Sequence, residues 1–441
     1  MSQRYAIVGT GARAQMFAQA LSRYGELVAL ADVNPARIEA QQRRLSSAGA
    51  PPAAAYHAGD VPAMLVKERV DTLVVCSVDA THDTYVVAAL EAGCSVVTEK
   101  PMTVDVPKCR RILDAAKRTG GRVQVAFNYR FHPVHEQVRG LLAAGEIGEI
   151  GSVHFEWLLD VRHGADYFRR WHRDKANSGG LLVHKATHHF DLVNWWLDSS
   201  PERVTAEGRL FLYGQDGARH GYARDYARAH GSDAAVGDPF ALHLADNPAL
   251  AELYLDAEAH DGYHRDVNVF APGVSIEDDM AVLVRYRSGA TMSYHLNAYA
   301  PWEGYRIAFN GSRGRLELDV VESDHVAPGV AGAVKGHSAA LHGAEAAAES
   351  GGVSLRLRRY WEKPVEVPVP AYDRAGHGGA DARMTAVLFG GAEDPLARSA
   401  TQLDGARSLL TGLSANESIA TGRRVDVADL LDLDEWEPQH G

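Results

Sequence analysis

The chain has 441 residues, with 45 Lys and Arg against 57 Asp and Glu and a formal net charge of −12. That length supplies two or three domains, and 46% hydrophobic with 23% charged residues describes a globular protein rather than a disordered one. The acidic balance argues against a nucleic-acid partner, and no apolar run reaches the ~18 residues of a membrane span.

Cys76, Cys94 and Cys109 are an odd number without metal-ligand spacing, as expected of reduced thiols in the cytoplasm. The start M-S-Q-R-Y enters a strand at once, so no signal peptide is expected. Short runs rich in Val, Leu and Ile at Tyr5–Val8, Leu27–Ala31, Thr72–Cys76 and Ser95–Thr98 read as buried parallel strands. Amphipathic helices are expected between and after them, at Ala14–Tyr24, Pro35–Ser46, Thr84–Ala92 and Val106–Arg118. This alternation is a doubly wound α/β domain over 1–124, with Val123–Phe127 as its last strand.

Longer alternating strands then follow in a second domain over 125–441, at Ser152–Asp160, Arg203–Tyr213, Met280–Tyr286, Thr291–Ala298, Tyr305–Phe309, Gly314–Asp319 and Val365–Pro368. Hairpin signals such as Arg287-Ser288-Gly289 predict a large, mostly antiparallel sheet. Two insertions stand out. Residues 214–275 carry a helix capped by Asn247 with Pro248 at its first position, and residues 326–352 form an Ala/Gly-rich loop. The tail 400–431 reads as a helix ending at Thr421-Gly422 and a short extended piece.

Directly after the first strand comes Gly9-x-Gly11-x-x-Ala14. The first Gly permits a tight turn, the second lets backbone approach a pyrophosphate, and the small third residue allows helix–strand packing. Asp32 ends the second strand at the spacing expected for a ribose-binding acid, which favours NAD over NADP, although Arg13 and Arg37 lie close by. Ser77 and His82 after the third strand, and Glu99 with Lys100 after the fourth, complete the expected cofactor side. Lys100, followed by Pro101, sits where open α/β sheets bind ligands.

The second constellation is the run from Ser178 to Trp196. Read as one helix, it puts Leu182, Ala186, Val193 and Leu197 on an apolar stripe and His184, His188, Asp191 and Trp195 on another face. A histidine pair at this spacing fits a cleft or two metal ligands, but no third ligand is marked, so no metal is expected.

Taken together, the glycine turn, Asp32, Glu99-Lys100-Pro101, the run Asn128–Pro133 and the Gly-Gly…His-x-x-Asp segment resemble the Gfo/Idh/MocA oxidoreductase family, which includes glucose–fructose oxidoreductase and inositol dehydrogenase. The resemblance implies a Rossmann domain plus an α/β domain whose open sheet serves dimer or tetramer contacts. It also implies hydride transfer between NAD(P) and a sugar, cyclitol or related polyol, with Lys100 and His188 at the family's catalytic Lys and His. Position 184 departs from the family's usual Asp, so the general base is open between Lys100 and His188, with His184 beside them. An NAD-dependent glycosidase on the same scaffold and a silent ligand sensor are the other readings. Substrate contacts are expected from Tyr129, Arg130, Tyr167, Trp171, His172 and Lys185. The loop Gly376–Gly379 and the insertion's Tyr263, His264 and Arg265 are further candidates.

Overall fold

The computed structural model describes residues 2–326, 351–372 and 378–437. The expected 326–352 loop therefore lies almost wholly outside the described residues, as do Gly376 and His377. The N-terminal domain is built on β1 (Arg4–Val8), β2 (Glu26–Asp32), β3 (Ala54–His57), β4 (Thr72–Val75), β5 (Ser95–Thr98) and β6 (Val123–Val125). They run parallel in the spatial order β6-β5-β4-β1-β2-β3. Helices α1 (Ala14–Tyr24) and α2 (Pro35–Ser47) follow β1 and β2. The apolar runs arise because helices cover both faces, leaving Ala6, Ile7, Leu73 and Val74 without solvent contact.

β3 and the helix Val61–Lys67 escape the sequence reading. The first is a short edge strand with half of its residues exposed, the second only two turns long, so neither carries a strong period.

The second sheet has nine strands, adding β7 (Ile150–Asp160), β8 (Pro201–Arg209), β9 (Asp279–Tyr286), β10 (Thr291–Ala300), β11 (Glu303–Gly311), β12 (Gly314–Ser323), β13 (Val353–Arg359) and β14 (Val365–Glu366). β15 (Ala400–Thr401) returns to pair with β6 of the first sheet, and β16 (Val425–Asp426) closes the second beside β8. All its pairings are antiparallel except β7 with β10. The strand expected over Arg203–Tyr213 leaves the sheet at Arg209. There the Asp278 carboxylate accepts hydrogen bonds from the amides of Phe211, Leu212 and Tyr213 at 2.6, 2.7 and 2.9 Å, in place of ladder partners.

The insertion 214–275 is a strap between the domains. Its Asn247-capped helix covers Pro248–Leu250 and continues as a π turn over Ala251–Leu255. Leu244, Leu250 and Leu253 pack on Ala40 of α2. Polar ties reinforce the seam: Asn34 donates to the Ala257 carbonyl at 2.9 Å, Arg37 pairs with Asp261 at 2.8 Å, and Arg44 with Glu252 at 2.6 Å. The strap thus passes beside Asp32, the last residue of β2.

Candidate active site

β1 and β4 are neighbours although three strands apart in sequence, so the loops at their carboxyl ends diverge and open a crevice. The cleft there measures about 450 Å³ and is walled by both domains and the strap. Gly9 has φ of +86°, and a Cβ on it would lie 2.4 Å from the Ser77 amide nitrogen. A Cβ on Gly11 would meet nothing within 4 Å, so that side of the turn opens into the cleft. No side chain caps α1 and no acidic residue occupies its first turn, leaving the helix dipole toward the crevice uncompensated.

Asp32 lines the cleft; its carboxylate accepts from Thr10 N at 2.6 Å and Asn34 N at 2.9 Å, which fix its orientation. Arg37 approaches it only to 3.9 Å and is held by Asp261 and the Leu253 carbonyl. These residues fit a dinucleotide: a bare glycine turn against a helix start for the pyrophosphate, and an oriented carboxylate for the ribose.

Three expected cofactor contacts turn out differently. Ala14, grouped with the cofactor turn, is fully buried and takes only the packing role expected of the motif's small third residue. His82 is also buried, bonding the Pro101 carbonyl at 2.9 Å and the Ser77 carbonyl at 3.1 Å, so it shapes the loops from behind. Arg13 lines the cleft, but its guanidinium is occupied by Glu99 at 2.5 Å and by both oxygens of Asp381 at 3.0 Å.

Across the crevice, Lys100 meets His184. Lys100 Nζ lies 3.2 Å from the His184 carbonyl and 3.5 Å from its Nε2, and His184 Nδ1 bonds Asp79 at 2.5 Å. Asp79 comes from the turn after β4. A carboxylate is therefore present beside the lysine, supplied by the first domain where the family's pattern has it at position 184. Burial lowers the Lys100 ammonium to about 8, against the opposing pull of Asp79 and Glu99. Burial likewise pushes the Asp79 carboxyl up and the His184 imidazolium down, the latter helped by Lys100.

The segment read as one helix is broken. It runs Leu181–His184, turns at Lys185 and Ala186, and resumes over Thr187–Leu197. The expected polar face divides along the second helix. His184 and His188 line the cleft, whereas Asp191 takes two bonds from Arg130 at 2.6 and 2.8 Å, and Trp195 donates to the Leu396 carbonyl. Arg130 is consequently a correction: 3% exposed, it is sealed in that ion pair and away from the substrate side. His188 stacks on Tyr129 with centroids 4.3 Å apart, and Lys185 bonds the Tyr129 hydroxyl at 3.2 Å with its ammonium over Trp157.

Tyr167, Trp171 and His172 line the cleft, as does Tyr263 of the strap. Arg265 is instead buried on Asp166, and His264 has a half-exposed side chain. Gly378 and Gly379 border a separate depression beside Glu136 and Tyr372. Among the described residues, no group of three His, Cys, Asp or Glu is placed to hold a metal ion. Sequence reasoning missed Asp79, 105 positions from its partner in a turn without any spacing signal, and did not single out Arg170 between Tyr167 and Trp171.

Comparison with known proteins shows the family and the fold. Residues 3–127 match the oxidoreductase family's NAD-binding Rossmann fold, and residues 139–427 match its C-terminal alpha/beta domain. YteT of Bacillus subtilis (strain 168), which is named as an oxidoreductase, is 32% identical over 433 residues, 93% of this chain and 94% of that protein. An inositol 2-dehydrogenase of Rhizobium meliloti (strain 1021) is 28% identical over 48% of this chain and 60% of its own. An oxidoreductase from Agrobacterium radiobacter, solved with NAD+, L-tartaric acid and magnesium, shares the fold with TM-score 0.62 at 16% identity, over 98% of this chain and all of that one. The chain belongs to the Gfo/Idh/MocA oxidoreductase family, with its NAD-binding Rossmann domain joined to its C-terminal α/β domain.

Proposed function

We propose that the protein transfers a hydride between a secondary alcohol of a sugar or cyclitol and NAD, with Lys100 as the base. The observation that carries this reading is the Asp79–His184–Lys100 chain at the carboxyl ends of β4 and β5. NAD supplies the hydride acceptor; the residues of the chain deal with the proton. When an alcohol carbon loses hydride, the hydroxyl proton must leave or an alkoxide accumulates. A buried lysine lowered to about 8 has a useful fraction of neutral amine near neutrality, so Lys100 can take that proton.

With Asp79 ionised, His184 keeps its proton on Nδ1 and offers the Nε2 lone pair to Nζ. The new ammonium then faces an acceptor and, beyond it, a carboxylate. Moving one proton from Nζ to Nε2, and the Nδ1 proton to Asp79, regenerates the amine without creating net charge. His188, held flat on Tyr129 and lining the same cleft, would bond the reacting oxygen. NAD is favoured over NADP because a 2′-phosphate would sit beside the Asp32 carboxylate while Arg37 is engaged by Asp261.

The test is a panel of aldoses, cyclitols, sugar acids and aryl glycosides, read for both NADH and released aglycone. NADH formed in proportion to substrate consumed is expected. Aglycone released without net NADH would mean redox-assisted glycoside cleavage instead, and no hydride exchange with any compound would refute the proposal.

A further inference from the structure

The helix Val161–Arg169 and the turn after it carry a charge arrangement that proton transfer does not use. Asp166 is 2% exposed and accepts from Arg265 Nη2 at 2.7 and 2.9 Å, with Arg170 Nε at 3.3 Å and Arg169 Nη1 at 3.9 Å. Burial pushes its carboxyl up, but Arg265, Arg170 and Arg169 more than offset that and hold it well below the usual carboxylate range. Among the described residues, these three guanidiniums share that one carboxylate; Arg170 also faces the Asp79 charge, so one positive charge remains in excess. Excess charge withdrawn from water is costly unless something of opposite sign arrives.

Arg169 donates to the Phe240 carbonyl and, like Arg265, does not reach the cleft. Arg170 does. Its Nε faces Asp166, its Nη2 lies 3.4 Å from His172 Nε2, and among the described residues Nη1 has no protein partner. His172 is driven well below its ordinary range by burial and then by Arg170, so it adds an acceptor rather than a second cation. Arg170 lies on the Lys100 side of the cleft, since His172 packs against His184 with ring centroids 4.1 Å apart and His184 contacts Lys100.

We propose that Arg170 receives a carboxylate of the substrate, so that the sugar oxidised is a sugar acid such as a uronate or aldonate rather than a neutral polyol. This rests on the redox reading above. A guanidinium presents a planar fork of donors that matches a carboxylate, and the neighbouring Asp166 fixes its plane.

The test measures binding to the NADH-loaded protein by quenching of NADH fluorescence. The probes are D-glucuronate, D-galacturonate and D-gluconate, with D-glucose, D-galactose and the uncharged D-glucuronamide as counterparts. At least one acid should bind ~10- to 100-fold more tightly than its neutral counterpart, the worth of one charge-assisted contact. Arg170→Met should bring that ratio to within about threefold, and Arg170→Lys should retain part of it. Unchanged NADH binding in both variants shows that they fold.

Neutral compounds binding as tightly as the acids, no acid binding at all, or a preference that survives in Arg170→Met would each overturn the proposal. Hydride exchange with neutral polyols alone overturns it while leaving the redox reading intact. Acids that bind through Arg170 without hydride exchange would support the carboxylate site and overturn the redox reading.

Discussion

Replacing Asp79 by Asn tests the proton chain at the point the sequence did not mark. The substitution keeps the shape of the side chain and removes its charge. Among the neighbouring charges, Asp79 is the strongest one raising the Lys100 ammonium, against the burial that lowers it to about 8. Taking a separation on the order of 8 Å through the imidazole and an effective dielectric of about 20, the lost attraction is about 2 kcal/mol. That corresponds to about 1.5 pKa units.

The sign follows from the charge: without the carboxylate the ammonium is less stable, so Lys100 releases its proton at lower pH. In the oxidation direction, kcat/KM of the wild type should rise with pH through a midpoint near 8, where Lys100 becomes neutral. In Asp79→Asn the midpoint should move to about 6.5, and the plateau should fall by roughly tenfold because a weaker base accepts the proton. Asp79→Glu, which keeps the charge, should hold the midpoint within about half a unit of wild type. The assay is initial-rate NADH formation across a buffered pH series. An Asn variant whose midpoint stays at or above the wild-type value would refute the reasoning.

Other substitutions probe the rest of the site. Lys100→Ala should lower turnover by ~10²–10⁴ while leaving NAD binding by titration nearly unchanged. His188→Ala should act similarly, and the double variant should lose less than the product of the two losses, because both groups serve one proton. Asp32→Ala should weaken NAD by about tenfold or more and narrow its advantage over NADP, measured by parallel titrations of the two cofactors. Arg130→Met should destabilise the fold by about 3 kcal/mol in denaturant titrations, because it strands a buried carboxylate. Burial, opposed by Arg130, already raises Asp191 to about 6, above its unfolded value, so its ionised form costs stability as pH rises and the loss should be smaller at about pH 5 than at pH 7. The folded Arg130→Met protein should keep its kcat/KM, since Arg130 lies outside the cleft.

The two-domain α/β architecture, the glycine turn, Asp32 and the position of Lys100 were legible in the order of residues along the chain. These are local: apolar runs buried on both faces, a turn that only glycine permits at Gly9, and residues placed at strand ends by strand length. Histidines 184 and 188 were legible as a pair from helical spacing, and both line the cleft although the helix is broken between them. Tertiary structure decided which neighbour each polar group found. Asp191 and Arg130 looked like cleft residues because the helix period aligns the first with the histidines, but Asp191 lies one turn beyond His188 on the same helix, where Arg130 reaches it in the interior.

Asp79 meets His184 only because β4 and the broken helix belong to different domains that face across the crevice. Arg265 reaches Asp166 only because the strap folds back over the cleft. Spacing along a chain encodes contacts within one element. Charge pairs between elements follow from packing, and it is packing that gives Lys100 its carboxylate and gives Arg170 an open donor.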